Sequence, residues 1–531
     1  MENMGNKEIE KLRKELSGKN DLIHSPEKII SQIKLFEEGI TPIKLLRPCK
    51  IGDGIKLLSE AEKKSYLDIF KKALEEGRII KFVPASGAAT RMFKKLLSLR
   101  ARFGKIEFNK LNKFADDGDE DCRSALEFYK NIHRFAFFEN LSILAESKGK
   151  KLSKIIAEKN VPELIGLLTD QDGLNYSNLP KGCILFHSYS NGSRTAFEEH
   201  IVEAINYSAN KDKTVKVHFT ISPEHEEEIK KIFNSFLQNY KDDGYKFEIE
   251  FSFQSPKTDT ISVTMDNKPF SDANGNLLFR PGGHGALLKN LNELKADIIS
   301  IKNIDNIVPD HLKEETYNYK KIIGGYLISL QTKIFEYLDR LENEELNEKM
   351  INEIIDFIEK EFEFSIKVKS ESKPPQEIKS YLYNFLNRPI RVCGMVKREE
   401  HPGGSPFWIQ GEDGEISTQI VETAQVNLSD PIQFKILNEG THFNPVDLAC
   451  AVKDYRGYHF DLEKFSNPKT GLITKKSKDG QDLKALELPG LWNGGMYHWL
   501  TVFVEVPKIT FNPVKEVNDL LKPEHQQIES K

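Results

Sequence analysis

A chain of 531 residues, 39% hydrophobic and 30% charged, has the composition of an ordinary globular protein and the length for a main domain with additions, or for two to three domains. Its formal net charge of -5 excludes nucleic acid or a membrane surface held by bulk charge, although 76 Lys and Arg residues can still gather in a local basic pocket. Cys49, Cys122, Cys183, Cys393 and Cys450 show no C-x-x-C spacing and read as buried thiols in a reducing compartment, which excludes a disulfide framework and a zinc site.

The chain opens with MENMGNKEIEKLRKEL, a charged, helical pattern without an apolar h-region, and no later run is apolar for long enough to span a bilayer. The expected location is the cytoplasm, with neither membrane nor nucleic acid as partner. Ser59 and Glu62 form a capping-box pattern before AEKKSYLDIFKKALEEG, with Gly77 as the stop, so residues 1–78 are expected to be a helical N-terminal region. From Ile79 the texture changes. IIKFVPA, CILFHSYS and VKVHFTI each lead through a short polar turn into a helical pattern, and Ser222 with Pro223 suits a helix start. Strands alternating with helices predict an α/β core over 79–310 with a mainly parallel sheet. YKFEIEFSFQ, TISVTM and ADIISIKNID supply further strands. A charged helical insertion, ending in the linker SESKPPQE, is expected over 311–388. Strands resume at IRVCGMV and complete the core within 389–531, which closes with a polar tail.

Chemistry concentrates in three places. FVPASGAATRMFKK, from Phe82 to Lys95, follows a strand with Ser86, Gly87, Ala88 and Ala89 and opens a helix near Thr90. Open backbone N–H groups at a helix start suit a phosphate, Arg91 offers a planar fork, and Lys94 lies about one turn on. The G-K-[ST] ending of a Walker A loop is missing, and a tight turn with surface basics is the alternative reading. FRPGGHGALLKNL sets Gly282, Gly283 and Gly285 around His284, either to close backbone over a ring or as a glycine-rich turn. IISIKNIDN ends an apolar strand at Asp305 and Asn306, where an aspartate serves either Mg²⁺ or an Asx turn. In HSYSNGSRTAFEEH, Thr195 and Glu198 form a capping box, and His187, Asn191 and Arg194 are expected beyond a strand end, with Arg194 facing substrate phosphate. PGLWNGGMYHW, from Pro489 to Trp499, reads as a lid wall or as core.

In this order the segments resemble the sugar-1-phosphate nucleotidyltransferases, most closely the UDP-sugar pyrophosphorylase branch of the GT-A-like fold. V-P-A-S-G-A-A-T-R-M (Val83 to Met92) is similar to that family's L-A-G-G-x-G-T-R-L loop, with Ser86 and Ala89 in place of two glycines and without the proline-lysine that follows it. VHFTIS, FSFQSPKTDTISVTM, RPGGHGALLKNL and IKNIDN resemble successive family strands and loops, as do QIVETAQV, THFNPVDL and ITKKSKDGQDLKALE. The phrasing of FVPASGAATRM, HSYSNGSRTAFEEH and LWNGGM also resembles an uncharacterised family of bacterial proteins.

The resemblance implies a GT-A-like mixed sheet in which 79–310 binds nucleotide and 389–531 binds sugar. It implies nucleotide contacts at Ser86, Gly87, Ala88, Ala89, Thr90, Gln254, Gly282, Gly283, His284 and Gly285. It further implies Mg²⁺ on Asp305, substrate contacts at Glu422 and Asn444, and phosphate neutralisation by Arg91, Lys94 and a late lysine among Lys475, Lys476 and Lys484. The implied reaction joins an NTP, UTP first among them, to a sugar-1-phosphate, giving an NDP-sugar and pyrophosphate. A catalytically silent nucleotide or nucleotide-sugar binder is the alternative, and a phosphotransferase that releases NDP is a second.

Overall fold

The computed structural model describes residues 10, 14, 24–240, 242–364, 374–398, 403–411 and 414–527. Except for Glu10 and Lys14, the N-terminal run expected to be helical lies outside them, as does the first half of the SESKPPQE linker. The fold is mixed α/β with mainly parallel central strands. The chain divides into two compact units, each built from three segments: 1–71, 254–300 and 322–506 in the larger, and 72–253, 301–321 and 507–531 in the smaller.

In the smaller unit the strands Ile79–Pro84, Thr214–Ile221 and Lys246–Phe253 run parallel, with Val83 beside Phe219 and Thr220 beside Ser252. Ile79–Pro84 is buried along almost its whole length, as a parallel strand covered on both faces must be. Its helices bury Phe93, Leu96, Leu99, Phe128, Leu164, Phe197 and Phe233 in one continuous core with Val83 and Phe219. Within that apolar interior Glu203 accepts from two ammonium groups, Lys81 at 2.9 Å and Lys302 at 2.7 Å. Burial pushes the Glu203 carboxyl up, but the charges of Lys302 and Lys81 outweigh it and hold the group well below its ordinary value.

Three local expectations change. Leu185–Tyr189 is not a member of the parallel set: it folds back on Gly192–Thr195 as a two-stranded antiparallel hairpin. Only two residues separate Tyr189 from its partner Gly192, whose φ of +130° suits the turn, so NGSR is part of a hairpin rather than an open strand end. Ser222 precedes Pro223 at a helix start, but its hydroxyl makes no cap and instead donates to the Ser86 carbonyl at 3.2 Å. The segment expected as a polar tail packs into this unit by burying Val514, Val517, Leu520 and Leu521.

The larger unit holds the strand Ile390–Lys397, parallel to Leu500–Glu505 and antiparallel to Asp447–Ala451. Two antiparallel sheets accompany it. One orders Phe279–Arg280, Thr260–Val263, Gln481–Glu487 and Leu472–Lys478; the other orders Lys44–Pro48, Ser405–Gln410 and Ile416–Val421. The N-terminal region thus contributes a strand as well as the helix Pro26–Glu38. Glu60–Glu75 starts on the expected box, with Ser59 N–H donating to Glu62 at 2.8 Å. Lys313–Asn343 and Glu348–Phe362 make the chain helical where the charged pattern predicts it. The two prolines of the linker motif open a further helix, Pro375–Leu386, because a proline at the first helical position sacrifices no helix bond.

Candidate functional site

The first loop is built by what does not bond within it. Ala85 N–H is taken by the Thr220 carbonyl and Ala89 N–H by that of Leu179, both at 2.9 Å. Between them the backbone N–H groups of Ser86, Gly87 and Ala88 have no protein partner among the described residues. Gly87 and Ala88 are exposed, and a Cβ at Gly87 would meet nothing within 4 Å. The segment from Ser177 to Lys181 holds the loop in place: Thr90 Oγ1 donates to the Ser177 carbonyl at 2.8 Å, and Lys181 N–H donates to that of Gly87 at 3.3 Å. A single turn, Ala89–Arg91, leads to the helix Lys94–Arg102. Arg91 and Lys94 are exposed and have no ion pair among the described residues, whereas Lys95 pairs with Glu516 at 2.8 Å. Successive free amides, followed in the chain by two cations without an ion pair, are groups able to donate to an anion.

The strand expected to end at Asp305 ends at Lys302, and Asp305 lies buried in the turn that follows, in the same unit. One of its oxygens, Oδ2, accepts from Lys181 Nζ and from Lys515 Nζ, each at 3.0 Å. Burial pushes this carboxyl up, but the two ammonium charges outweigh it and bring it below its ordinary value. Two positive groups on one carboxylate oxygen repel a divalent ion there. Mg²⁺ does not fit the Asp305 carboxylate as it is held.

Arg194 is engaged elsewhere. Its guanidinium pairs with both Asp310 oxygens at 2.7 and 2.8 Å and lies over the Tyr189 ring. Nearby, Glu199 is fully buried and takes Lys313, His187 Nδ1 at 2.9 Å and the Tyr189 hydroxyl at 2.6 Å. Burial opposes ionisation of Glu199, yet Lys313 and His187 hold its pKa at about 2. His525, from the C-terminal segment, reaches His187 Nε2 at 3.1 Å and stacks on its ring.

In the larger unit His284 and Glu422 come together, 3.6 Å apart. Asn493 Nδ2 donates to the same Glu422 oxygen at 2.6 Å, and Trp492 stacks on His284 with ring centroids 4.5 Å apart. The His284 ring beside it outweighs burial and, with the hydrogen bond from Asn493, lowers the Glu422 pKa. The glycines serve close packing here: a Cβ on Gly285 would lie 2.1 Å from the Pro489 carbonyl, and one on Gly282 2.8 Å from that of Thr258. Gly283 alone needs its left-handed φ of +75°. Gln254 is half-buried in the loop after Lys246–Phe253. Asn444 is buried and turned inward, donating to the Gly394 carbonyl at 3.0 Å and accepting from Val446 N–H at 3.1 Å. Lys475 and Lys476 are exposed on Leu472–Lys478, while Lys484 donates to Asn267.

The structure therefore gathers Ser86 to Arg91, Lys94, Arg194 and Asp305 in one unit, and Gln254, Gly282 to Gly285, Glu422, Asn444, Lys475 and Lys476 in the other. Sequence reasoning missed Lys181 and Lys515, whose partner is remote in the chain. Asn493 lay within the singled-out LWNGGM segment, where glycines flanking a polar side chain were the available signal.

Residues 11–526 match the family described as a domain of unknown function, DUF4301, and the chain belongs to that family. No curated protein matches it. Among solved structures it is similar to UDP-glucose pyrophosphorylase from Leishmania major, at 12% identity and a TM-score of 0.42 over 98% of this chain and 80% of that one. A mutant of that enzyme in complex with UDP-glucose gives 12% and 0.41, over 94% and 77%. UDP-N-acetylglucosamine pyrophosphorylase from Trypanosoma brucei gives 11% and 0.45, over 93% and 74%. Scores of this size mark a loose likeness.

No helix among the described residues is long and apolar enough to cross a membrane, and the five cysteines are buried and form no disulfide.

Proposed function

We propose that this chain is a nucleotidyltransferase that joins an NTP, UTP first among them, to a sugar-1-phosphate, giving an NDP-sugar and pyrophosphate. The observation that carries the reading is the run of unpartnered N–H groups at Ser86, Gly87 and Ala88, with Arg91 and Lys94 free beside it. The order of motifs from Ile79 to Pro507 supports it. In this reaction a phosphate oxygen of the sugar-1-phosphate attacks the α-phosphorus in line. The α–β anhydride bond breaks, and pyrophosphate leaves with the electron pair. Such chemistry asks a protein for positioning and charge neutralisation rather than for a covalent group. The open amides and Arg91 would hold the triphosphate. Taken by itself, the larger unit offers donors and an ionised acceptor to hydroxyls at His284, Glu422 and Asn493.

One observation favours the second reading, a silent binder of a nucleotide or nucleotide sugar: Arg194 and Asn444, two expected substrate contacts, are consumed by internal partners. Incubation with each NTP and a panel of sugar-1-phosphates separates the readings. A transferase releases pyrophosphate, a binder gives binding heat without products, and a phosphotransferase releases NDP.

A further inference from the structure

We propose that Lys181, Asp305 and Lys515 form a metal-free cationic seat for a polyphosphate beside the Ser86 to Arg91 loop, with Lys515 as the ammonium that touches the anion. The proposal rests on the nucleotidyltransferase reading for the identity of the anion as a nucleotide phosphate, and on the geometry alone for the seat.

The three side chains carry a net charge of +1 and differ sharply in exposure. Asp305 is 9% exposed and Lys181 13%, whereas Lys515 is 58% exposed. Lys181 spends two of its three donors inside the fold and is the more buried ammonium: it donates to Asp305 at 3.0 Å and to the Val514 carbonyl at 2.9 Å. Lys515 spends one donor on Asp305, and no other partner is recorded for its ammonium among the described residues. A buried carboxylate thus pre-orients a half-exposed cation whose remaining donors are available, which lowers the ordering cost of gripping an anion.

The backbone sets this cation beside the open amides. Lys181 N–H donates to the Gly87 carbonyl, and Val517 N–H donates to that of Met92 at 3.1 Å. Val514 N–H donates to the Asp305 carbonyl at 3.0 Å, which fixes the segment carrying Lys515 to the turn after the strand. The loop, the turn after the strand and the C-terminal segment are therefore stitched together: the loop brings free N–H groups and Arg91, the C-terminal segment brings Lys515, and the turn brings the carboxylate that orients it. Carboxylates in the vicinity are already matched, Glu516 by Lys95 at 2.8 Å and Asp519 by Lys522 at 2.7 Å. In a seat of this kind the ammonium groups occupy the position on Asp305 where a divalent cation would otherwise sit.

The test titrates inorganic tripolyphosphate into the full chain by calorimetry, in EDTA and again in Mg²⁺, for the wild type, Lys515→Gln and Lys515→Arg. Binding is expected in EDTA, weakened about tenfold or more in Lys515→Gln and largely restored in Lys515→Arg. Lys515 is exposed, so Lys515→Gln is expected to fold, and circular dichroism confirms that before titration. Binding that requires Mg²⁺, or an unchanged affinity in Lys515→Gln, overturns the seat. Pyrophosphate release is measured on the same samples. Lys515-dependent binding without release from any NTP leaves the seat standing and removes the nucleotidyltransferase reading; release that depends on Mg²⁺ and ignores Lys515 does the reverse.

Discussion

Lys181 and Asp305, 124 residues apart in the chain, meet at 3.0 Å, and Lys515 meets the same carboxylate oxygen from 210 residues beyond. This contact changes the expected consequence of altering Asp305. At a solvated strand end, Asn would replace Asp with little effect on stability. In a buried ion cluster, Asp305→Asn removes the charge that balances two lysines. The expected loss is about 2 kcal/mol, since a hydrogen bond to a charged group contributes about 1.5–3 kcal/mol. Because its folded pKa is depressed, Asp305 contributes stability above the ordinary carboxylate range and loses it as pH falls through the folded value. Urea melts of the variant and wild type should therefore converge on acidification. Equal stability at neutral pH would remove the ion cluster.

Glu203 is expected to be the most sensitive single side chain of the smaller unit. Glu203→Ala leaves Lys81 and Lys302 buried without their counter-charge, and breaking such a pair costs about 3–5 kcal/mol. A thermal melt checks this, and a drop of only a degree or two would contradict it.

Acid should loosen the C-terminal segment early. Burial, reinforced by the charge His187 would carry, lowers the His525 pKa from 6.5 to about 3, against an opposing effect of Asp519. Between those values the unfolded chain binds a proton at His525 and the folded chain does not, so stability falls as pH drops from 6.5 to about 3. Glu199, held at about 2 against an ordinary 4.5, adds a second loss as pH falls from 4.5 to about 2. In His525→Phe the first slope should flatten while the second remains. A denaturation series from pH 7 down to about 2 reads both.

How far these features could be read from the sequence depended on how local they are. The Ser86–Ala89 loop was legible as an open turn because small residues follow an apolar strand, whereas the Ser177 to Lys181 segment that holds it lies some ninety positions on and was not. Thr195 with Glu198 caps its helix as written, since both bonds span three residues. Arg194 was not legible: its partner Asp310 lies 116 positions on, and the hairpin that delivers it depends on the two-residue turn before Gly192. Asn444 matched a motif yet faces inward, because Val446 takes a positive φ of 59° and draws its own N–H onto the side chain. The C-terminal stretch carried a missed signal, since Val514, Val517, Leu520 and Leu521 recur at helix-like intervals among polar residues and are buried as that spacing suggests.

Arg91 offers a clean test of phosphate binding, because it is exposed and no ion pair ties it to the fold. Arg91→Ala should melt as the wild type does and bind NTP about tenfold to a hundredfold more weakly, the range for losing a charge-assisted phosphate contact. Calorimetry with each NTP reads the change. Unchanged affinity would take the loop out of the site.

The most direct measurement is pyrophosphate release by the wild type and by Gly87→Val, side by side, with each NTP and a sugar-1-phosphate panel. A Cβ at Gly87 meets nothing within 4 Å, Gly87 is exposed, and it is not among the glycines of positive φ, so the variant should fold as the wild type does. Its added methyl groups would add bulk to the loop that carries the free N–H groups of Ser86, Gly87 and Ala88. Release by the wild type, and loss of it in a variant with the same melting temperature, is the expected result. No release from any substrate pair, or equal release by both proteins, would contradict a nucleotidyltransferase that holds its triphosphate on this loop.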